Sequence, residues 1–176
     1  AKIGFGGLRL DRYLDGGNQH MTLEGGTVDL KGPTFQTGIG RVQVTDAKRP
    51  WGRFDWNSQH WNFLTYYDTR KADAQLALAS GAKLYEDSSN LHGELQGNTG
   101  FFGDRGFLVG GLAYHRQRID TANPQGVQTL MTAKQAAHQE ALFGQLEYSL
   151  SASLKAVVAG RVAKRNPPIP PILLNG

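Results

Sequence analysis

The segment His92–Gly93–Glu94 is the place in this chain where residue type and spacing come closest to chemistry. On a β-strand alternate residues share a face, so the imidazole and the carboxylate would stand side by side, and a metal ion there is conceivable. The plainer expectation for the pair is a polar wall. The five histidines, His20, His60, His92, His115 and His138, fall on separate segments without HxxxH-type ligand spacing. The run "GPTFQTGIG" is glycine-rich, but it neither follows a clear strand nor opens a helix, as a phosphate loop must. No GxSxG nucleophile turn is present, and the serines have no nucleophile setting. Glu86 and Asp87 fall in what reads as a long loop, where solvent is their default partner. The expectation is a non-enzyme, without catalytic residues, metal ligands or cofactor, and with substrate-binding residues that no motif singles out.

Any such polar groups have to be positioned by elements that the composition constrains. The 176 residues include 23 glycines and are 39% hydrophobic, a profile of many half-polar strands and not of an apolar α/β core. No run of about 18 apolar residues offers a transmembrane helix, which leaves membrane strands open because they are only half apolar. The absence of cysteine is compatible with a reducing cytosol or a bacterial envelope. The formal charge of +4 is scattered among acids, so no nucleic-acid footprint is expected. The chain starts without methionine or a leader, from which we expect a removed leader or an internal piece.

The dominant hydrophobic period is two. In "QEALFGQLEYSL" Leu142, Gly144, Leu146, Tyr148 and Leu150 alternate with Phe143, Gln145, Glu147 and Ser149. "NLHGELQG", "FLVGGLAYHR", "KAVVAGRV" and "WGRFDWN" alternate in the same way, and "GLRLDRYL" and "HMTLEGGTVDL" flank the turn "DGGN" as a hairpin. Short connections at Ser58 to His60, Phe102 to Gly106 and Ser151 to Leu154 take turns with long ones, about Lys71 to Ser89 and Ile119 to His138. In consecutive hairpins this order gathers the short turns at one end of a sheet. Trp51, Phe54, Trp56, Trp61, Phe63, Phe101, Phe102 and Phe107 cluster near that end, as an interfacial girdle or as ordinary cross-strand pairs. Lys31 to Pro50 reads as a long loop holding an extra β-segment, Arg41 to Thr45. Pro167, Pro168, Pro170 and Pro171 argue against continued ladder pairing. The expected division is a partial β-barrel domain over 1–163 and a proline-rich non-barrel tail over 164–176.

The runs "TGIGRVQVTDAKRPWGRFDWNSQHWNFLTYYDTR", "GELQGNTGF" and "ALFGQLEYSLSASLKAVVAGRV" resemble the barrel region of TonB-dependent outer-membrane receptors. The resemblance spans roughly Leu8 to Val162 and lies in strand-and-turn texture. It implies an all-β, antiparallel up-and-down transmembrane barrel wall, about eight main strands of a larger barrel or a small closed one. It also implies a bacterial outer-membrane location with lipid as a partner. The function implied is import of a scarce nutrient such as siderophore-iron, cobalamin or an oligosaccharide. Coupling would run to the TonB complex through a plug domain that this sequence does not show. On that expectation Arg53, Asp55, His92, Glu94, Gln145, Glu147 and Arg161 line a lumen, while Leu91, Leu95, Leu108, Leu112, Leu142, Leu146 and Val158 face lipid. The alternatives are a small closed outer-membrane barrel with a structural or adhesive role, in which the first and last strands pair, and a soluble all-β binding module.

Overall fold

The computed structural model describes residues 1–103 and 105–166. Its strands are β1 (Lys2–Leu14), β2 (Gln19–Lys31), β3 (Thr34–Thr37), β4 (Gly40–Asn57), β5 (Trp61–Ala77), β6 (Lys83–Phe101), β7 (Gly106–Asp120), β8 (Gln135–Ser151) and β9 (Leu154–Asn166). They form one antiparallel sheet in the order β1-β2-β4-β5-β6-β7-β8-β9, with the short β3 pairing only with β4. The connections at 15–18, 58–60, 102–105 and 152–153 all fall at one end, where the alternation of turn lengths places them. The first is a tight 3-10 turn in which Asp15, Gly16 and Gly17 all adopt positive φ (51°, 62° and 100°), a conformation that Asp and Gly tolerate best.

Two sequence expectations about loops are corrected. Lys71 to Ser89 is not a long loop: β5 runs to Ala77, β6 starts at Lys83, and only the intervening turn is irregular. Likewise Arg41 to Thr45 is no isolated segment but the start of β4, which continues through Asn57. The physical reason is the same in both places. Register shifts between Val44 and Asp46, Asp46 and Lys48, and Ala72 and Gln75 insert extra residues into the ladder. Each bulge reverses the phase of the in-out alternation, so one strand reads in sequence as two fragments. The long connection between β7 and β8 does exist, over 121–134, and it folds back onto the sheet. Thr121 is buried and its Oγ1 donates to Gln128 Oε1 (2.6 Å), while Thr129 Oγ1 accepts from the Tyr85 backbone N–H (2.9 Å).

Most of the buried apolar residues sit towards this same end, whereas Ala113 and Ala141 are buried in mid-sheet. Val42, Ala77 and Leu84 form one cluster capped by Leu130 of the long connection, and Val44, Ala47 and Ala72 form another against Leu30. Elsewhere the sheet is a single layer. Glycine therefore has a specific use: an aromatic ring lies across the glycine directly opposite on the neighbouring strand, as Trp61 does over Gly97 and Phe143 over Gly111. A Cβ at Gly111 would come within 2.5 Å of Phe143 Cζ and 2.6 Å of the Leu95 carbonyl oxygen.

The expected barrel wall is the main correction. β1 pairs only with β2 and β9 only with β8, so the sheet is open, both outer strands are exposed along nearly their whole length, and neither a closed barrel nor a lumen exists among the described residues. β9 continues to Asn166, three residues past the expected domain boundary at 163, and Pro167, Pro168, Pro170 and Pro171 lie outside the described residues.

The glycine–aromatic pairs make a stability prediction. Gly111→Val lowers the free energy of unfolding by about 1–3 kcal/mol through overpacking, whereas Gly160→Ala, with nothing within 4 Å of the new methyl group, does not lower it. Urea unfolding followed by circular dichroism separates the two.

Candidate functional site

The pairing register assembles a row of polar residues across the sheet, one from each strand of the main path. Arg9 stands opposite Glu24, Glu24 opposite Arg53, and Arg53 opposite Tyr66. The row continues from Tyr66 to His92, His115, Gln139 and Arg165. Directly paired residues share a face, so all eight project to the same side. Asp11, Thr22 and Asp55 form a parallel row beside the first half, and Asp68, Asn90 and Gln117 flank the second half.

The two halves of this face differ in how their polar groups are satisfied. On β1, β2 and β4 the groups hold one another. Arg9 donates to Glu24 Oε1 (3.0 Å) and to both oxygens of Asp11 (2.7 and 2.9 Å), and Thr22 Oγ1 donates to Asp11 (2.8 Å). Arg53 reaches Glu24 (3.6 Å) and Asp55 (3.4 Å), and Asn57 donates to Asp55. The hydrogen bonds from Arg9 and then Thr22 hold the Asp11 carboxyl well below its ordinary range. Towards the long-connection end Arg70 is bound to Glu86 and donates to Gln75 Oε1 (2.9 Å), and burial followed by the charge of Arg49 lowers its pKa.

On β5 to β9 the row changes character. The Tyr66 ring stacks on His92 (centroids 5.2 Å apart), and His92 meets His115 edge to face (5.8 Å). His92 Nδ1, His115 Nε2 and Asn90 Oδ1 are shut off from solvent and have no hydrogen-bond partner within the protein. Such groups are uncommon, and each costs free energy until a partner is supplied. Asn90 is fixed from its other side, its Nδ2 donating to Asp68 Oδ1 (3.1 Å). Next to this cluster is a pocket of about 170 Å³ lined by His115, Gln117, Ala137, His138, Gln139 and Arg165. Burial, and then the nearby His92 and Arg165, lower the pKa of His115, while Asp68 opposes them. Its imidazole is therefore neutral at pH 7 and offers both a donor and an acceptor nitrogen.

All seven residues assigned from sequence to the polar side, Arg53, Asp55, His92, Glu94, Gln145, Glu147 and Arg161, do share this face. They do not form one site. Arg53 and Asp55 belong to the ion-paired half. Gln145 and Glu147 lie towards the short turns with Lys155 (2.7 Å from Glu147), and Arg161 lies over the Phe143 ring (5.9 Å). His92 and Glu94 are 3.9 Å apart, and among the described residues no three histidine or acidic side chains converge as a metal site. Leu91, Leu95, Leu108, Leu112, Leu142, Leu146 and Val158 occupy the opposite face. Exposure there reaches 60% at Leu142 and 69% at Val158.

Tyr66, Asn90, His115, Gln139 and Arg165 carry no motif, so reading residues one by one misses them. Hairpin symmetry would have found one pair. His92 and His115 are equidistant from the turn at 102–105, and in an antiparallel hairpin equidistant residues are neighbours.

Compared with known proteins, the chain matches no family model, no curated protein and no solved structure. The resemblance to TonB-dependent receptors therefore does not hold, and the readings that depended on it fall with it. These are nutrient import, the plug and TonB complex as partners, the contact with outer-membrane lipid, and the outer-membrane location. The physical reason is the open sheet. A barrel wall closes so that no strand edge meets hydrocarbon, and among the described residues β1 and β9 do not pair. Strand texture alone misled, because alternation and short turns are common to many antiparallel sheets. No helix of the described chain is long and apolar enough to cross a membrane.

An NMR titration is expected to place the His115 midpoint below its ordinary 6.5, and His92→Gln is expected to move it back upward by removing one of its causes. Because folding depresses this pKa, the unfolded chain binds the extra proton first. The His115 contribution to stability thus falls as pH drops from about 6.5 towards the folded midpoint, and it is flat above that window.

Proposed function

We propose that this chain is a non-enzymatic all-β binding module that takes a hydroxyl-rich ligand on its polar face at Asn90, His92 and His115. The observation that carries this proposal is the set of three solvent-shielded polar atoms without protein partners on adjacent ladder positions, beside a pocket with Gln117, Gln139 and Arg165 on its wall. Asn90 Oδ1 needs a donor, and the neutral His115 can accept or donate, so the cluster suits a ligand whose groups do both. Hydroxyls meet that requirement. The Tyr66 and His92 rings add flat surface next to these groups. A purely anionic ligand suits the cluster less well, since it would leave Asn90 Oδ1 without a donor and would lie near Asp68.

Binding, and not catalysis, is favoured by how the acidic groups are engaged. Asp68 accepts from Asn90, Glu86 is held by Arg70 and Gln75, and Glu24 is shared by Arg9 and Arg53. These carboxylates act as fixed acceptors that brace the face.

Calorimetric titration against a panel of polyols and oligosaccharides tests the proposal. A ligand that binds is expected to lose at least tenfold in affinity, about 1.4 kcal/mol, with His115→Ala and with Arg165→Ala, and to be unaffected by Leu146→Gln on the opposite face. Binding indifferent to both polar-face changes, or no binding across the panel, would defeat it.

A further inference from the structure

Among the carboxylates of the polar face, Asp68 is the exception. Asp11 and Glu24 are held by Arg9, Asp55 by Arg53, Glu86 by Arg70 and Glu147 by Lys155, while Glu94 stands 3.9 Å from His92. Asp68 has no cation within ion-pair distance among the described residues, and its carboxylate accepts only from Asn90, whose Nδ2 donates to Oδ1 (3.1 Å). That leaves Asp68 Oδ2 as an open acceptor close to Asn90 Oδ1, which is shielded from solvent and also lacks a donor.

The register sets an aromatic ring beside these acceptors. Trp51 of β4 stands opposite Asp68, Asp68 opposite Asn90, and Asn90 opposite Gln117, so the four share the polar face in a row beside Tyr66, His92 and His115. The other two tryptophans belong to the opposite face, where Trp56 donates to Gln19 and Trp61 packs on Gly97. Two glycines make room for Trp51. A Cβ at Gly26 would lie 3.1 Å from the indole Nε1, and one at Gly7 3.8 Å from Cζ2, so the ring reaches over β2 towards β1. The rest of its surface is open, with 38% of the residue exposed.

An aromatic surface next to open acceptors is an arrangement that a sugar ring fits. Its C–H face packs on the indole while its hydroxyls donate to the carboxylate and amide oxygens. Arg49, two residues before Trp51 on the same face, has no carboxylate partner among the described residues either. Its charge and that of Asp68 offset one another, which suits a neutral ligand with both donors and acceptors. From Gly26 on β2, beneath the indole, to His115 on β7 the sheet path crosses four strand spacings, roughly 19 Å. That is longer than one sugar ring.

We propose that Trp51 and Asp68 form a second subsite, continuous with Asn90, His92 and His115, and that the ligand spanning both is a neutral linear oligosaccharide. This rests on the binding function proposed above and adds the class and length of the ligand. Trp51 is the stacking platform and Asp68 the hydroxyl acceptor.

Calorimetric titration of the whole chain with maltose and maltohexaose, and with cellobiose and cellohexaose, tests the subsite. In the series that binds, the hexasaccharide should bind at least tenfold more tightly than the disaccharide. Trp51→Ala and Asp68→Ala should each remove most of that advantage. Trp51→Ala should leave the disaccharide affinity unchanged, whereas His115→Ala should weaken both sugars. In a Trp56→Phe/Trp61→Phe variant the remaining tryptophan is Trp51, and its emission should shift with the hexasaccharide and not with the disaccharide. That readout keeps the ring in place, so it holds even where Trp51→Ala fails to fold. Hexasaccharide binding indifferent to Trp51→Ala, no advantage of the longer sugar, or an unchanged emission at saturation overturns the subsite and leaves the His115 site standing. No binding by any of the four sugars overturns the oligosaccharide, and the polyol panel then decides the binding function separately.

Discussion

Lateral backbone pairing is the interaction on which everything else in this protein rests. Most of the sheet has no second layer: the buried apolar clusters are two small ones, around Val42 and Val44, and the other buried apolar residues are the small alanines Ala113, Ala137 and Ala141. Hydrophobic burial therefore cannot be the chief source of order across the remaining strands. Order comes from the ladder, from cross-strand side-chain pairs, and from tight turns that set the register of each hairpin. The aromatic rings over Gly97 and Gly111 belong to this economy, since they recover contact area at positions where a single-layer sheet would otherwise be thin.

Register also explains why the polar face contains two different environments. A row of residues across eight strands could have been uniformly ion-paired. On β1, β2 and β4 it is: arginines alternate with acids closely enough to form direct bonds. From Tyr66 the row holds rings and an amide, which present directional hydrogen-bonding atoms but no neutralising charge, until it ends on Arg165. A charge network can relax around a missing partner, because solvent screens half-exposed ions. A shielded imidazole nitrogen or amide oxygen has no such recourse. Unsatisfied atoms thus accumulate in the second half, at His92, His115 and Asn90, and it is there that a ligand has most to contribute.

Much of the fold was legible in the residues. The period of two, the turn at Asp15 to Asn18 and the short turns near Ser58 and Phe102 placed most strands and gathered those turns at one end. The assignment of His92 and Glu94 to one face, and of Leu142 and Leu146 to the other, followed from alternation alone. Legibility failed where bulges reversed the phase, so that β4 and the β5–β6 hairpin looked like loops. It failed again at the level of family, because alternating strands joined by short turns are shared by sheets with quite different surroundings. Of the candidate site, His92 was visible as a polar residue on a strand. Of the other members of the row, His115 follows from the symmetry of its hairpin, whereas Tyr66 and Arg165 join it only through the registers of further strands.

By itself, the amino-acid sequence determined which side chains share a face within each run free of bulges, because such a run alternates with a period of two whatever stands beside it. It also determined where the chain reverses, because turns at Asp15 to Gly17 require residues that tolerate positive φ. Only the tertiary structure decided which strand neighbours which, where the ladder slips, and that the sheet remains open between β1 and β9. Those are properties of contacts between residues far apart in the chain, and local propensity is blind to them. A transverse row such as that from Arg9 to Arg165 exists only once every register is set. A single one-residue slip would turn part of it to the opposite face.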